Sequence, residues 1–484
     1  MRKIYPKQKT SADAARVPKK FDILLCGATA LTAEPDQPII EECVVGIRGD
    51  RIALLASAAE AGATTAARII DARGHVLTPG FVNIHTHAVL AMVRGMTEDL
   101  GFAPAYTPGV PHCYDVSEEE AAALARLTAL EAMLSGSTLI NDMYTHAHAT
   151  LPAMSELGLR VCSSGWLHDV DFERVHEGVW DYRPEIGERT LQYGMDLYER
   201  WNGAFDGRAT VMLAPHAIDT CSRPFLMNVN RERRRLGIKV MTHLAQSRLE
   251  VEQVHRRDGM TPTEAVDDAG LLDGDLIAAH CVVMTAHDVA RAGRAGITVA
   301  HAPKISFAGG YLPTTVAMRK AGANIALATD NMHADIVEVM RWALASARLQ
   351  ERAITADWTS KEVFDMATLG SARCLGRDHE LGSLKVGKKA DLVLFDFRCA
   401  HLTPAFHPLG TLVHVGVGRD VSTVIVDGKI VVEQGRATLA DEEDIRRKAA
   451  AAAKSVWTRV AGEPPGPDVV ARLSKRPSQR LTRS

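Results

Sequence analysis

Between residues 79 and 380, short apolar runs alternate with stretches whose apolar residues recur at helical spacing. SEEEAAALARLTALEAMLSG, residues 117–136, typifies the helical class, with a Ser117 cap, an acidic first turn, apolar residues three and four apart, and Gly136 as a stop. The runs between such stretches, STLINDMY, LGLRVCSSG, ATVMLAPH, GIKVMTHLA, LIAAHCVV, GITVAHAP and ANIALATD, read as short strands ending in or near a polar residue. Repeated strand-then-helix units over about 300 residues predict an α/β fold, a distorted (β/α)8 TIM barrel whose chemistry sits at the C-terminal strand ends.

The flanks have a different texture. Residues 21–78 (FDILLCGATALT, CVVGIRGDRIALLA, ARIIDARGHVLTPG) and 381–440 (ADLVLFDF, DVSTVIVDGKIVVEQGR) are short β-type runs with Gly-Asp and Asp-Gly hairpin signals. They predict a small discontinuous β-sandwich built from both chain ends. Residues 1–20 read as a flexible leader, and 441–484 as a C-terminal helix whose Pro-, Arg- and Ser-rich tail lies on the surface or is disordered.

Composition narrows the partner. The net charge is −3 with both signs interspersed, which argues against nucleic acid or a membrane surface and favours a small-molecule substrate. No apolar run reaches bilayer length. The 8 cysteines form no CxxC pair, which disfavours a disulfide framework or a cysteine zinc site and fits the cytoplasm.

The strand ends carry the candidate chemistry. PGFVNIHTH places His85 and His87 two apart, on one face of a strand. His216 in LAPH, His243 in VMTH, His280 in IAAH, His301 in TVAH and Asp330 in LATD close further runs. His85, His87, His243 and Asp330 form a three-nitrogen, one-oxygen set suited to one Zn²⁺ or Fe²⁺ per subunit with an open position for water. Such a metal makes hydroxide available near neutral pH, with Asp330 as proton acceptor and His280 orienting the attack. DMYTHAHAT repeats the spacing at His146 and His148 but reads as structural, and Trp166, His168 and Phe172 in GWLHDVDF read as packing.

PGFVNIHTH, RGMTEDL, SGSTLINDMY, APHAIDTCS, THLAQSRLEV, AAHCV, VAHAPKISFAGGYLPT, LATD, LGSLKVGKKADLVLFD and VSTVIVDGKIVVEQGR together resemble the amidohydrolase superfamily, in its branch of triazine hydrolases and adenosine-type or cytosine-type deaminases. The resemblance spans nearly all of residues 21–440. It implies a mononuclear site with His85, His87, His243 and Asp330 as ligands, His280 as the catalytic strand-end histidine, His216 as a substrate contact, and a homodimer or larger homo-oligomer.

Two departures bear on the reaction. Deaminases of that branch carry glutamate three residues after the histidine of THLAQS, where this chain has Gln246, an amide that cannot shuttle a proton. GVPHCYDVS has Cys113 where the adenosine-type members place a ribose-binding glutamate. These departures lead us to expect hydrolysis of a simpler amide, urea or (thio)carbamate bond, near the chemistry of phenylurea and thiocarbamate hydrolases. Gln246 would bind the substrate carbonyl, while His301 and Lys304 contact or polarise the substrate. The alternative is hydrolytic deamination or dechlorination of an aromatic N-heterocycle.

Overall fold

The computed structural model describes residues 19–100 and 103–474. The leader up to residue 18 and residues 475–484 of the tail lie outside the described residues.

Eight parallel strands form two sheets. β1 (Phe81–Thr86), β2 (Ser137–Met143), β3 (Arg160–Ser164) and β4 (Ala209–Val211) pair in that order in the first. β5 (Val240–Leu244), β6 (Leu276–His280), β7 (Thr298–His301) and β8 (Asn324–Leu327) pair in the second. Isolated parallel bridges join the two sheets at both edges, Leu213 with Val240 and Thr86 with Asp330. These strands are almost wholly buried, as parallel strands covered on both faces must be. Asn83 fastens β1 to the end of β8, donating to Thr329 Oγ1 at 2.7 Å and accepting from Thr329 N at 3.1 Å.

The sandwich expected from the chain ends is instead one continuous nine-stranded sheet. Its pivot is Lys19–Leu31, which pairs in parallel with Thr64–Asp71 along its first half and with His75–Pro79 near its end. Register shifts between Cys26 and Ala30 permit the exchange of partners. Gly27 sits at that bend with φ +91°, and a Cβ there would lie 2.5 Å from Arg73 Cγ. Leu392–Asp396 then pairs antiparallel with His75–Pro79, so both ends of the chain meet in one ladder.

A buried ion cluster ties this sheet to β3. The Arg160 side chain is fully buried and donates to both oxygens of Asp391, at 2.8 and 2.9 Å, and to Asp427 at 2.7 Å. Lys389 also reaches Asp427, at 3.0 Å.

The C-terminal helix forms as expected over Glu442–Ala461, and its buried Trp457 donates Nε1–H to the Met92 carbonyl at 2.8 Å. The tail departs from expectation, because Pro467–Leu473 is helical and buries Val469 and Leu473. Two apolar side chains one turn apart outweigh the polar composition around them. Among the described residues no helix is long and apolar enough to cross a membrane.

Arg160→Met should lower stability by about 3–5 kcal/mol, because Asp391 and Asp427 lose the cation that offsets their burial. Urea unfolding of the two proteins measures the difference.

Candidate metal centre and substrate pocket

His85 lies near the end of β1 and His87 just after it, His243 lies in β5, and Asp330 follows β8. One ligand atom from each lies within 4.8 Å of all the others, and all four residues are buried. His85 Nε2 is 3.1 Å and His87 Nε2 3.3 Å from Asp330 Oδ1, and His87 Nε2 is 3.1 Å from His243 Nε2.

The outer nitrogens define the tautomers. His87 Nδ1 is 2.5 Å from the Met143 carbonyl oxygen and His243 Nδ1 is 2.6 Å from that of His216. A carbonyl only accepts, so both protons reside on Nδ1, and the two Nε2 atoms face each other as bare lone pairs beside a carboxylate. Burial holds both rings below the ordinary histidine pKa, and His87, with neighbouring histidines adding to the effect, well below it. Lone pairs so placed repel unless a cation lies between them. The donor set of three imidazoles and one carboxylate therefore fits a divalent metal, and the paired carbonyls are the outer contacts that orient such ligands.

The backbone at the site is strained. His280 and Asp330 have φ of +75° and +64°, conformations costing about 1–3 kcal/mol each for residues with a Cβ. Asp330 N donates to the His85 carbonyl and His87 N to the Asp330 carbonyl, both at 3.0 Å. The carboxylate is thus aimed by the same bridge that joins β8 to β1.

A pocket opens beside the cluster. His87, His243, Asp330, His280, His216 and Gln246 line it together with Tyr106, Tyr144, Trp166 and Asn331. Trp166 and His216 stack with centroids 4.0 Å apart and planes 27° apart, and Tyr106 lies nearly parallel to His216 at 6.5 Å. Burial keeps His216 neutral and holds His280 down to about 3. Gln246 Nε2 and Trp166 Nε1 are buried donors without a partner.

Two expected substrate contacts lie elsewhere. His301 is buried at the end of β7 but is absent from this lining, and Lys304 is half-exposed and donates to Glu338 at 2.9 Å. The nearby carboxylate turns the lysine aside. His146 and His148 open the helix Ala147–Ser155, and His148 Nδ1 accepts the Trp201 indole N–H at 3.1 Å, as a structural residue does. Tyr106, Tyr144, Trp166 and Asn331 line the site although the sequence does not single them out as site residues. Trp166 reads as packing from its sequence context, and Tyr106 stands in the Pro-flanked GFAPAYTPGVP, whose place soon after HTH is the available signal.

A sequence profile of the Amidohydrolase family matches residues 76–431. The chain belongs to that family. It is a hydrolase acting on carbon–nitrogen bonds other than peptide bonds. It is 36% identical over 419 residues to the 5-methylthioadenosine/S-adenosylhomocysteine deaminase of Moorella thermoacetica, covering 84% of this chain and 94% of the relative. The 5′-deoxyadenosine deaminase of Methanosarcina barkeri is 32% identical over 446 residues, covering 91% and 99%. Among solved structures, an adenosine deaminase of Xanthomonas campestris with bound zinc superposes with a TM-score of 0.82 at 24% identity, over 91% of this chain and 100% of that one. A zinc-complexed atrazine chlorohydrolase of Arthrobacter aurescens gives 0.78 at 22%, over 89% and 100%.

The expected amide, urea or carbamate hydrolysis is overturned by these relatives, which share nearly the whole chain and are named as deaminases of adenosine derivatives. The two departures, at Gln246 and Cys113, do not decide which bond is cleaved. A neutral side chain at one position limits what that side chain does, and other groups in the same pocket carry protons.

Two outcomes follow. Asp330→Asn should keep its fold while losing retained divalent metal, with affinity falling by more than the roughly 10–100-fold typical of changes to outer contacts alone; elemental analysis after dialysis measures it. Burial lowers His301 to about 3 and His168 to about 4. Below the unfolded value of about 6.5 the unfolded chain binds protons that the folded chain refuses, so stability falls with falling pH by up to about 1.4 kcal/mol per unit for each histidine. Urea midpoints should therefore drop between pH 7 and 5, and less steeply in His301→Gln.

Proposed function

We propose that the protein is a metal-dependent hydrolytic deaminase of an aromatic N-heterocycle bearing an exocyclic amine, of the adenosine type. The observation that carries the reading is identity of about a third to adenosine-derivative deaminases along almost the whole chain, joined to a buried His3Asp cluster beside an aromatic pocket. We further read the two bridged sheets as one distorted (β/α)8 barrel, with the pocket at its C-terminal end.

In this reading His85, His87, His243 and Asp330 hold one Zn²⁺ or Fe²⁺. Bound there, the ion would lower the pKa of a coordinated water toward about 7 and so supply hydroxide at neutral pH. Asp330 takes up the water's proton and returns it to the departing amine, while His280, neutral at this pH, orients the attack. The stacked Trp166–His216 pair presents a flat face to the heterocycle. Gln246 Nε2–H and Trp166 Nε1–H donate to ring nitrogens, which accept. Water replaces the exocyclic amine, leaving a ring carbonyl, an N–H on the ring and free ammonia.

Metal-loaded protein should release one ammonia per molecule of 5′-deoxyadenosine or 5-methylthioadenosine consumed, and Asp330→Asn should release none. A panel that adds aminated pyrimidines, pterins and triazines sets the ring preference. The reading fails if none of these rings yields ammonia.

A further inference from the structure

Removing an amine from an aromatic ring carbon requires a proton on the adjacent ring nitrogen as hydroxide adds, since that nitrogen gathers the displaced electron pair. Among the described residues lining the pocket, the only carboxylate is Asp330, which belongs to the ligand cluster. Gln246 offers an N–H that it cannot give up. His216 is neutral and within 2.8 Å of Thr220 Oγ1 through its Nδ1.

Tyr106 differs from these. It closes the 3-10 turn Pro104–Tyr106 in the roof of the pocket, and its hydroxyl lies 3.1 and 3.0 Å from the two oxygens of Asp219. Asp219 is fully buried just outside the lining, and Trp180 Nε1–H donates to it at 3.2 Å. Behind it stands a second buried acid, Glu250, whose carboxylate accepts the backbone N–H of Ala245 and Gln246 at 3.1 and 2.7 Å. Burial pushes Asp219 up to about 6, and burial together with Asp219 raises Glu250 well above the carboxylate range. Two buried acids with raised pKa therefore stand behind the pocket wall, and one of them is within hydrogen-bond reach of the Tyr106 hydroxyl.

We propose that Tyr106 is the proton donor to the substrate ring and that Asp219 is the positioning residue that recharges it. This rests on the deamination reading above. The Tyr106 hydroxyl turns from Asp219 to the ring nitrogen. As the O–H bond breaks and the ring N–H bond forms, the phenol oxygen takes the proton of the Asp219 carboxyl group, so the phenol never carries charge. Asp219 is left as carboxylate and regains a proton from solvent between turnovers, and this uptake is balanced by the remaining proton of the added hydroxyl, which leaves to solvent as the ring carbonyl forms. The roof turn thus contributes both a wall of the pocket and the acid that position 246 lacks.

The test compares wild type, Tyr106→Phe, Asp219→Asn and the double variant Tyr106→Phe/Gln246→Glu for ammonia release, with metal content and melting temperature confirmed equal. Both single variants should lose about 100-fold or more in kcat with KM little changed, the range of a missing general acid. The double variant, which places a carboxyl group against the same pocket, should recover at least about 10-fold over Tyr106→Phe. A structural role for Tyr106 would not be rescued from position 246. Undiminished kcat in Tyr106→Phe or in Asp219→Asn overturns the proposal, as does failure of the double variant to recover. A wild-type enzyme that releases no ammonia overturns the deamination reading itself, and the relay with it.

Discussion

Two bare imidazole nitrogens 3.1 Å apart, with a carboxylate oxygen 3.3 Å from one of them, are an unstable arrangement in a buried space without a cation. Much of the fold around the site serves to enforce it. The Met143 and His216 carbonyls fix where the imidazole protons sit, and the β1–β8 bridge fixes where Asp330 points. The left-handed backbone at His280 and Asp330 is strain that a loosely packed strand end would relax. Here the neighbouring strands bond to it on both sides, so the strain persists where the chemistry is placed.

The terminal sheet contributes at a distance. Its strands come from opposite ends of the chain and meet at His75–Pro79, which runs directly into β1 and the HTH motif. The Arg160 cluster then locks that sheet to β3 through two carboxylates that only a buried cation can satisfy. Burying such a cluster adds little net stability, but once formed it tolerates no lost partner. That asymmetry gives the sheet one orientation against the catalytic strands.

The pocket separates two tasks that one glutamate could perform together. Gln246 keeps a donor for recognition, and the acid moves to the Asp219–Glu250 pair behind the roof turn. Two carboxyl groups that share a buried space hold a proton more tightly than either would alone. The unpartnered Gln246 and Trp166 donors make the pocket complementary to a ring rich in acceptors.

The sequence by itself determined the alternating strands and helices, the participation of both chain ends in one β-rich unit, and the four metal-binding side chains. Each of these is local: period-two geometry puts His85 and His87 on one face, and a run ending in His or Asp marks a strand end whatever it later pairs with. The tertiary structure alone decided the rest. It made one bent sheet of the expected sandwich, because a bulge at Gly27 lets one strand pair with two partners in succession. It turned Lys304 toward Glu338 and left His301 off the pocket lining. It brought Tyr106 and Trp166 into one pocket with Gln246, and Asp219 against the Tyr106 hydroxyl. Such convergence depends on long-range packing that no spacing along the chain encodes, and for that reason Gln246 and Cys113, read without their neighbours, point to the wrong bond.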